Sequence, residues 1–286
     1  QTITGIVTGA GFNGVITVAD VQTLINQTGD DLSAVMLDLT AVAALFAMPP
    51  ISNFFVGAVV AGGSGNLYFG CNMEYAGQPL SFCSHGEQDA TVNAWIAGNE
   101  TSITSLAVNA APCGYCRQYL YETVSAQTLT IILPSKTAAY QTMPLTDLLP
   151  LAFGPQDLGI KGGLLDPQAN GLSVSATNPA VLAGLAAANA CYAPYTKAYS
   201  GIGLLMNDGK TFAGPLSENA AYNPSQSPLE AALFLMNMAG YSYGDISEVA
   251  LVEAPSPVVS QLAASAAVLS SVAPSLSINY VTATTS

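Results

Sequence analysis

The chain has 286 residues, half of them hydrophobic, with 5 Lys and Arg against 18 Asp and Glu, a formal charge of −13. Five basic groups cannot build the cationic stripe that releases counterions from a phosphate backbone, which excludes nucleic acid and, by the same charge argument, anionic membrane surfaces. A mean hydropathy of +0.42 reflects scarce charge rather than a membrane span, because the densest apolar run, from Ala41 to Met48, stops at Pro49-Pro50, well short of the ~18 residues a span needs.

Residues 16–47 carry apolar side chains at helical spacing, Val18, Val21, Leu24 and Ile25, then Leu32, Val35, Met36 and Leu39, around a polar break at 27–31. They predict a small helical N-terminal unit at 1–48. From Phe54 the texture changes to short β-rich runs, 54–60 and 67–71, joined by a Gly-rich turn. A helix at 86–97, a strand at 105–109, a helix from about 113 to 124 and a strand at 128–133 follow. This alternation predicts an α/β unit with helices layered on a sheet, assigned to 49–150. A Gly/Pro/Asn-rich stretch at 151–187 reads as a connector, and 188–286 as a further domain. No positive charge precedes Arg117 to form a signal n-region, and five cysteines are an odd number, pointing to thiols or metal ligands before disulfides. A soluble, cytoplasmic protein is expected.

The second half echoes the first. Pro50 and Gly57 recur as Pro194 and Gly201 (offset 144), Asn72 and Tyr75 as Asn219 and Tyr222 (147), Ser84 and Glu87 as Ser227 and Glu230 (143), and Ala111-Pro112 as Ala254-Pro255 (143). A nearly constant offset over four landmarks predicts a duplicated α/β unit. On this register His85, Cys113 and Cys116 become Pro228, Ser256 and Val259. Three soft or borderline ligands lost together are what a single metal site leaves behind.

His85, Cys113 and Cys116 offer the imidazole and thiolates that Zn²⁺ prefers, one zinc per chain. Three protein ligands with an open fourth position is the catalytic arrangement, whereas a structural site is closed by four. Pro112 fits a helix start, where the dipole and free N–H groups stabilise thiolate, and His85 begins another helix. Glu87 is the only carboxylate close in sequence to the cluster, placed to take a proton from an activated water and return it to the substrate. Arg117, the sole arginine, follows Cys116 directly and reads as a hydrogen-bond donor to a thiolate. Bland readings compete: C-x-x-C also fits a redox pair, Ser84-x-x-Glu87 and Ser227-x-x-Glu230 both fit capping boxes, Asn72 and Asn219 both fit turns, and Cys71 and Cys191 fit small buried positions.

His85-Gly86-Glu87 followed by Pro112-Cys113-Gly114-Tyr115-Cys116 matches the H-x-E and P-C-x-x-C signature of zinc nucleoside and nucleobase deaminases. With Phe54 to Ala58, Tyr68 to Glu74, Cys116-Arg117-Gln118, Phe153 to Leu158 and Glu218 to Pro224, the chain from about residue 49 onward resembles cytidine deaminases of the larger, dimeric bacterial type. The resemblance implies a three-layer α-β-α fold, present as a catalytic copy and a degenerate copy without metal ligands. It implies hydrolytic deamination of cytidine and 2′-deoxycytidine to the uridine products plus ammonia, a step of pyrimidine salvage. It places Asn72 and Glu74 on a ribose hydroxyl, Phe54 against the pyrimidine, the backbone of Gly86 on the base, and Phe153 in the pocket of a partner subunit in a homodimer, with the 218–224 loop also completing the partner's pocket. Gly86 departs from the family's usual Ala. Two alternatives stand beside this reading: deamination of another small pyrimidine or nucleoside analogue, and a catalytically inactive zinc-stabilised scaffold, for which Cys83 would supply a fourth ligand.

Overall fold

The apolar residues gather into two units. In the computed structural model, which describes residues 3–9 and 11–285, unit one comprises Gln1–Met73, Ser84–Asp166 and Asn219–Pro224, and unit two Glu74–Cys83, Pro167–Glu218 and Ser225–Ser286. Gln1, Thr2 and Ala10 of the predicted N-terminal unit, and Ser286, lie outside the described residues. Among the described residues no helix is long and apolar enough to cross a membrane.

Unit one runs α1 (Ile3–Val7), β1 (Val15–Ile16), α2 (Val18–Thr28), α3 (Leu32–Ala43), β2 (Gly57–Gly62), β3 (Leu67–Cys71), α4 (Gly86–Ile96), β4 (Ile103–Val108), α5 (Gly114–Tyr121), β5 (Thr130–Leu133), β6 (Gln141–Pro144) and α6 (Leu145–Leu148). Thr17 and Asp31 cap α2 and α3 by accepting the Asp20 and Ala34 N–H groups, which sets the two helix starts either side of the predicted polar break. The strands form one sheet in the order β1-β3-β2-β4-β5-β6, and of its pairings only β4–β5 is parallel. Gly57 pairs with Cys71 and Ala58 with Gly70, so Gly57 and Gly70 point to opposite faces. A Cβ on Gly57 would lie 1.9 Å from the Thr40 carbonyl oxygen of α3, and one on Gly70 2.1 Å from the Ala90 nitrogen of α4. Only glycine lets the two helix backbones close onto the strands, and the result is a three-layer α-β-α sandwich. The helical segment predicted to stand apart at 1–48 belongs to it: β1 is the edge strand on β3 and α3 is one outer layer. An amphipathic helix reads the same in sequence whether its apolar stripe meets a helix or a sheet.

Unit two runs β7 (Leu172–Ser173), α7 (Pro179–Ala190), β8 (Ser200–Met206), β9 (Thr211–Pro215), α8 (Pro228–Met238), β10 (Ile246–Glu253), α9 (Leu262–Val272), β11 (Ile278–Thr282) and β12 (Thr284–Thr285). Its sheet has the order β11-β10-β8-β9, with β12 and β7 forming a separate pair. Gly201 repeats the part of Gly57, its Cβ position 2.3 Å from the Ala188 nitrogen of α7, and Gly214 that of Gly70, 2.1 Å from the Pro228 oxygen of α8. Both pairs are offset by 144 residues (57 to 201, 70 to 214), which makes the duplication structural. Helix α7 starts at Pro179, inside the predicted connector at 151–187 and ahead of the expected boundary at 188. Its sequence is apolar nearly all round, so no periodicity marks it.

The register of the repeat slips at one place. Met73 bridges Met48 and Ser84, and Ser217 bridges Tyr192 and Gln226, so the second copy is two residues shorter over this loop (73 to 84 against 217 to 226). The counterpart of Ser84 is therefore Gln226, and that of His85 is Ser227, both of the latter being helix N-caps. Asn72 corresponds to Leu216 rather than Asn219, Glu74 to Glu218 rather than Ala221, and Glu230 to Gln88 rather than Glu87. The expected pairings rest on matching residue types at offsets of 147 (72 to 219) and 143 (84 to 227), whereas the bridges give 144 before the loop (73 to 217) and 142 after it (84 to 226).

Candidate active site

Two helix starts in unit one meet. His85 is the N-cap of α4 and Cys113 the N-cap of α5, its Sγ accepting the Cys116 N–H at 3.4 Å, while Cys116 lies in the first turn. His85 Nδ1 lies 3.6 Å from Cys113 Sγ and 3.3 Å from Cys116 Sγ, and the two sulfurs are 3.6 Å apart. Tetrahedral zinc, with its usual bond lengths to nitrogen and sulfur, requires about 3.6 Å for N···S and about 3.8 Å for S···S. The three residues fit that ion. Cys83 is not a member of the converging group, so the cluster has the three-ligand form rather than the closed four-ligand form. The Cys116 thiol and the imidazole pull Cys113 down to about 3, while the contact with Cys113 and burial push Cys116 well up. A bound cation would hold both sulfurs as thiolates.

Glu87 is 4% exposed in the first turn of α4, beside Cys116. Burial, the largest influence, raises its carboxyl above the ordinary range, opposed by its own backbone N–H and the contact with Cys116. The expected Ser84–Glu87 capping box does not form. Ser84 Oγ donates instead to Asp89 Oδ2 at 2.8 Å, and the N3 role falls to Gln88, whose Oε1 accepts the His85 N–H at 3.3 Å. Glu87 is thus released from the capping role that competed with catalysis. Arg117 also differs from expectation: its Nε donates to the Pro112 carbonyl at 2.8 Å and its Nη1 to the Leu148 carbonyl at 2.9 Å, not to a thiolate. It fixes the backbone immediately before Cys113.

The remaining predicted residues are arranged as follows. Asn72 is buried, accepts the Val56 N–H on Oδ1 and donates from Nδ2 to the Phe54 carbonyl, both at 2.9 Å, so it holds the segment carrying Phe54 that leads into β2. The Phe54 side chain itself is 57% exposed. Gly86 opens α4 with Val56 and Ala58 above it. Phe153 is 45% exposed, its carbonyl accepting from Gln118 Nε2 at 2.7 Å. Glu74 is half-buried and falls in the Glu74–Cys83 segment of unit two.

Two family models, each described as "Cytidine and deoxycytidylate deaminase zinc-binding region", match residues 31–132 and 145–266. A solved cytidine deaminase from Burkholderia pseudomallei aligns over 42% of this chain and 97% of its own at 30% identity, with a TM-score of 0.35. A cytidine deaminase of Yersinia pestis is 42% identical over 90% of this chain and 85% of its own length. One of Photobacterium profundum is 43% identical over 96% and 91%. The chain belongs to the cytidine deaminase family. That the two matched regions fall one in each half of this cytidine deaminase family member agrees with the duplication, and zinc is its cofactor.

Sequence reasoning passes over three parts of this site. Gln88 is visible only once His85, not Ser84, is known to be the N-cap. Tyr115 stacks on the His85 imidazole, with ring centroids 5.5 Å apart and planes at 27°. Asn219–Pro224, far along the sequence, lies in unit one against α4 and α5: Asn219 Nδ2 donates to the Gln118 carbonyl at 2.9 Å, and the Ala220 N–H to Glu122 Oε2 at 2.9 Å. This loop, expected from the sequence to complete a partner's pocket, forms part of unit one of its own chain.

Proposed function

We propose that the chain catalyses the hydrolytic deamination of cytidine and 2′-deoxycytidine, in which water replaces the amino group at C4 to give the uridine product and ammonia. The observation that carries this reading is a three-ligand cluster with a buried carboxylate, Glu87, beside it. His85, Cys113 and Cys116 would hold zinc, which when bound supplies an activated water. Glu87, in the dry first turn of α4, takes the proton of that water on a carboxylate oxygen, delivers it to pyrimidine N3, and then carries a proton to the departing amine. Gly86 offers its backbone to the base, Phe54 packs on the ring, and Asn72, with polar capacity left beyond its two backbone bonds, reads a ribose hydroxyl together with Glu74.

The assignment divides the chain into a catalytic region over 49–150, extended by α3, and a second copy that has lost the ligands. The exposed Phe153 supports a homodimer in which this ring enters the pocket of the other subunit. Five free cysteines agree with a reducing, cytoplasmic setting. A Glu87→Gln protein should retain one zinc per chain and lose at least about 10²-fold in kcat for cytidine; an undiminished rate refutes the mechanism. Glu74→Ala tests the substrate: equal rates on the nucleoside and on free cytosine in the parent, unmoved by this change, would refute nucleoside recognition.

A further inference from the structure

His85 is contacted by two residues, Gln88 and Tyr115, that are both tied to one short piece of distant chain. Gln88 takes the His85 backbone N–H on Oε1 and donates from Nε2 to the Pro224 carbonyl at 3.0 Å. Tyr115, lodged between the two sulfur ligands in sequence, covers the His85 ring and donates its hydroxyl to the Asn223 carbonyl. Two consecutive carbonyls therefore fix the backbone of the ligand and the plane of its imidazole. The piece that presents them is itself pinned by Asn219 and Ala220 to α5, the helix of Cys113 and Cys116. It comes from the copy of the repeat that has no metal ligands of its own.

We infer that Tyr115 is a positioning residue for the metal site, and that Asn219–Pro224 acts as a brace setting how firmly His85 holds the ion. The inference rests on the zinc assignment above. A ring stacked on imidazole at this distance restricts its rotation, and a hydroxyl anchored on a backbone carbonyl keeps the stacking ring in place. A ligand free to rotate away releases its metal faster, and loss of such supporting contacts typically costs about 10- to 100-fold in metal affinity.

The test uses the zinc-loaded full chain and measures the rate of zinc transfer to a chromophoric chelator, with the visible spectrum of the cobalt-substituted protein and thermal unfolding recorded alongside. Tyr115→Phe keeps the stacked ring and removes the anchor; Tyr115→Leu removes both. Zinc release should quicken severalfold in the first and about 10- to 100-fold in the second, and the cobalt bands should shift or broaden in the same order. Equal release rates and an unchanged cobalt spectrum in a folded Tyr115→Phe protein would overturn the inference while leaving the zinc assignment intact. A parent chain that takes up no zinc overturns both. If Tyr115→Leu does not fold, the Phe variant decides.

Discussion

In the first turn of α4 three consecutive residues are committed to different neighbours: Gly86 to the sheet, Glu87 to Cys116, Gln88 to His85 and Pro224. A Cβ on Gly86 would lie 3.1 Å from Val56 Cγ1 and 3.5 Å from the Ala58 Cβ, so a methyl fits once Val56 yields by a few tenths of an ångström. Alanine in place of a glycine whose backbone conformation it can adopt gains about 0.4–1 kcal/mol by restricting the unfolded chain. Gly86→Ala should therefore raise the calorimetric unfolding midpoint by about 1–4 °C with zinc content unchanged, and a lowered midpoint would show that Val56 is wedged in place. At this scale the three ligands are legible in the sequence because their residue types and local spacing already carry the chemistry. The role of Glu87 is legible only in part, since Ser84 and His85 are adjacent and either one serves as a helix cap on paper. The hydrogen bond from the His85 N–H to Gln88 decides it. Arg117 was misread for a related reason: proximity to a thiolate in sequence says nothing of two carbonyls brought up by Pro112 and Leu148.

The helices are seated on the sheets by glycines whose counterparts in the two copies make the same close approach, which allows a paired experiment. Gly70→Ala would place a methyl 2.1 Å from the Ala90 nitrogen, and Gly214→Ala one 2.1 Å from the Pro228 oxygen. Backbone cannot yield as a side-chain tip can, and each change should cost about 3 kcal/mol or more. The functional outcomes should differ. Gly70→Ala displaces the helix that begins at His85 and should lower zinc occupancy, whereas Gly214→Ala displaces α8, which carries no ligand, and should leave one zinc per folded chain. Metal analysis of the folded fractions checks this; equal zinc loss in both would deny α4 its separate role. Elements with contrast between faces, such as α2, α3 and α5, are readable from periodicity. Helix α7 is not, because Ala-rich sequence offers no polar face to compare, and β1, with two residues, is too short to announce itself.

Across the whole molecule, the repeat is legible as a nearly constant offset, and its slip is not, because matching residue types, Asn219 with Asn72 at 147 and Ser227 with Ser84 at 143, mask the change from 144 before the loop (73 to 217) to 142 after it (84 to 226). The same loop hides the most consequential feature of the chain. Unit one includes Asn219–Pro224, and its removal leaves Gln88 Nε2, the Tyr115 hydroxyl and a carboxylate oxygen of Glu122 without those acceptors and donor. Gln88 and Glu122 are buried, and each hydrogen bond lost there costs about 0.5–1.5 kcal/mol. A fragment ending at residue 166 should therefore hold zinc poorly, and adding residues 167–286 in trans should restore it, measured as zinc retained after gel filtration. Full retention by the fragment alone would show the segment to be dispensable.

The position of that segment also bears on the order of events during synthesis. By the time residue 166 has been added, every metal ligand has been translated, yet Asn223 and Pro224 still lie 57 and 58 codons ahead (166 to 223 and 224). At about 5–20 residues per second the ribosome needs roughly 3–12 s to supply them. Through that interval the nascent chain carries His85, Cys113 and Cys116 without the two carbonyls that anchor Gln88 and Tyr115 against the His85 backbone and ring, so firm capture of the metal comes late in translation.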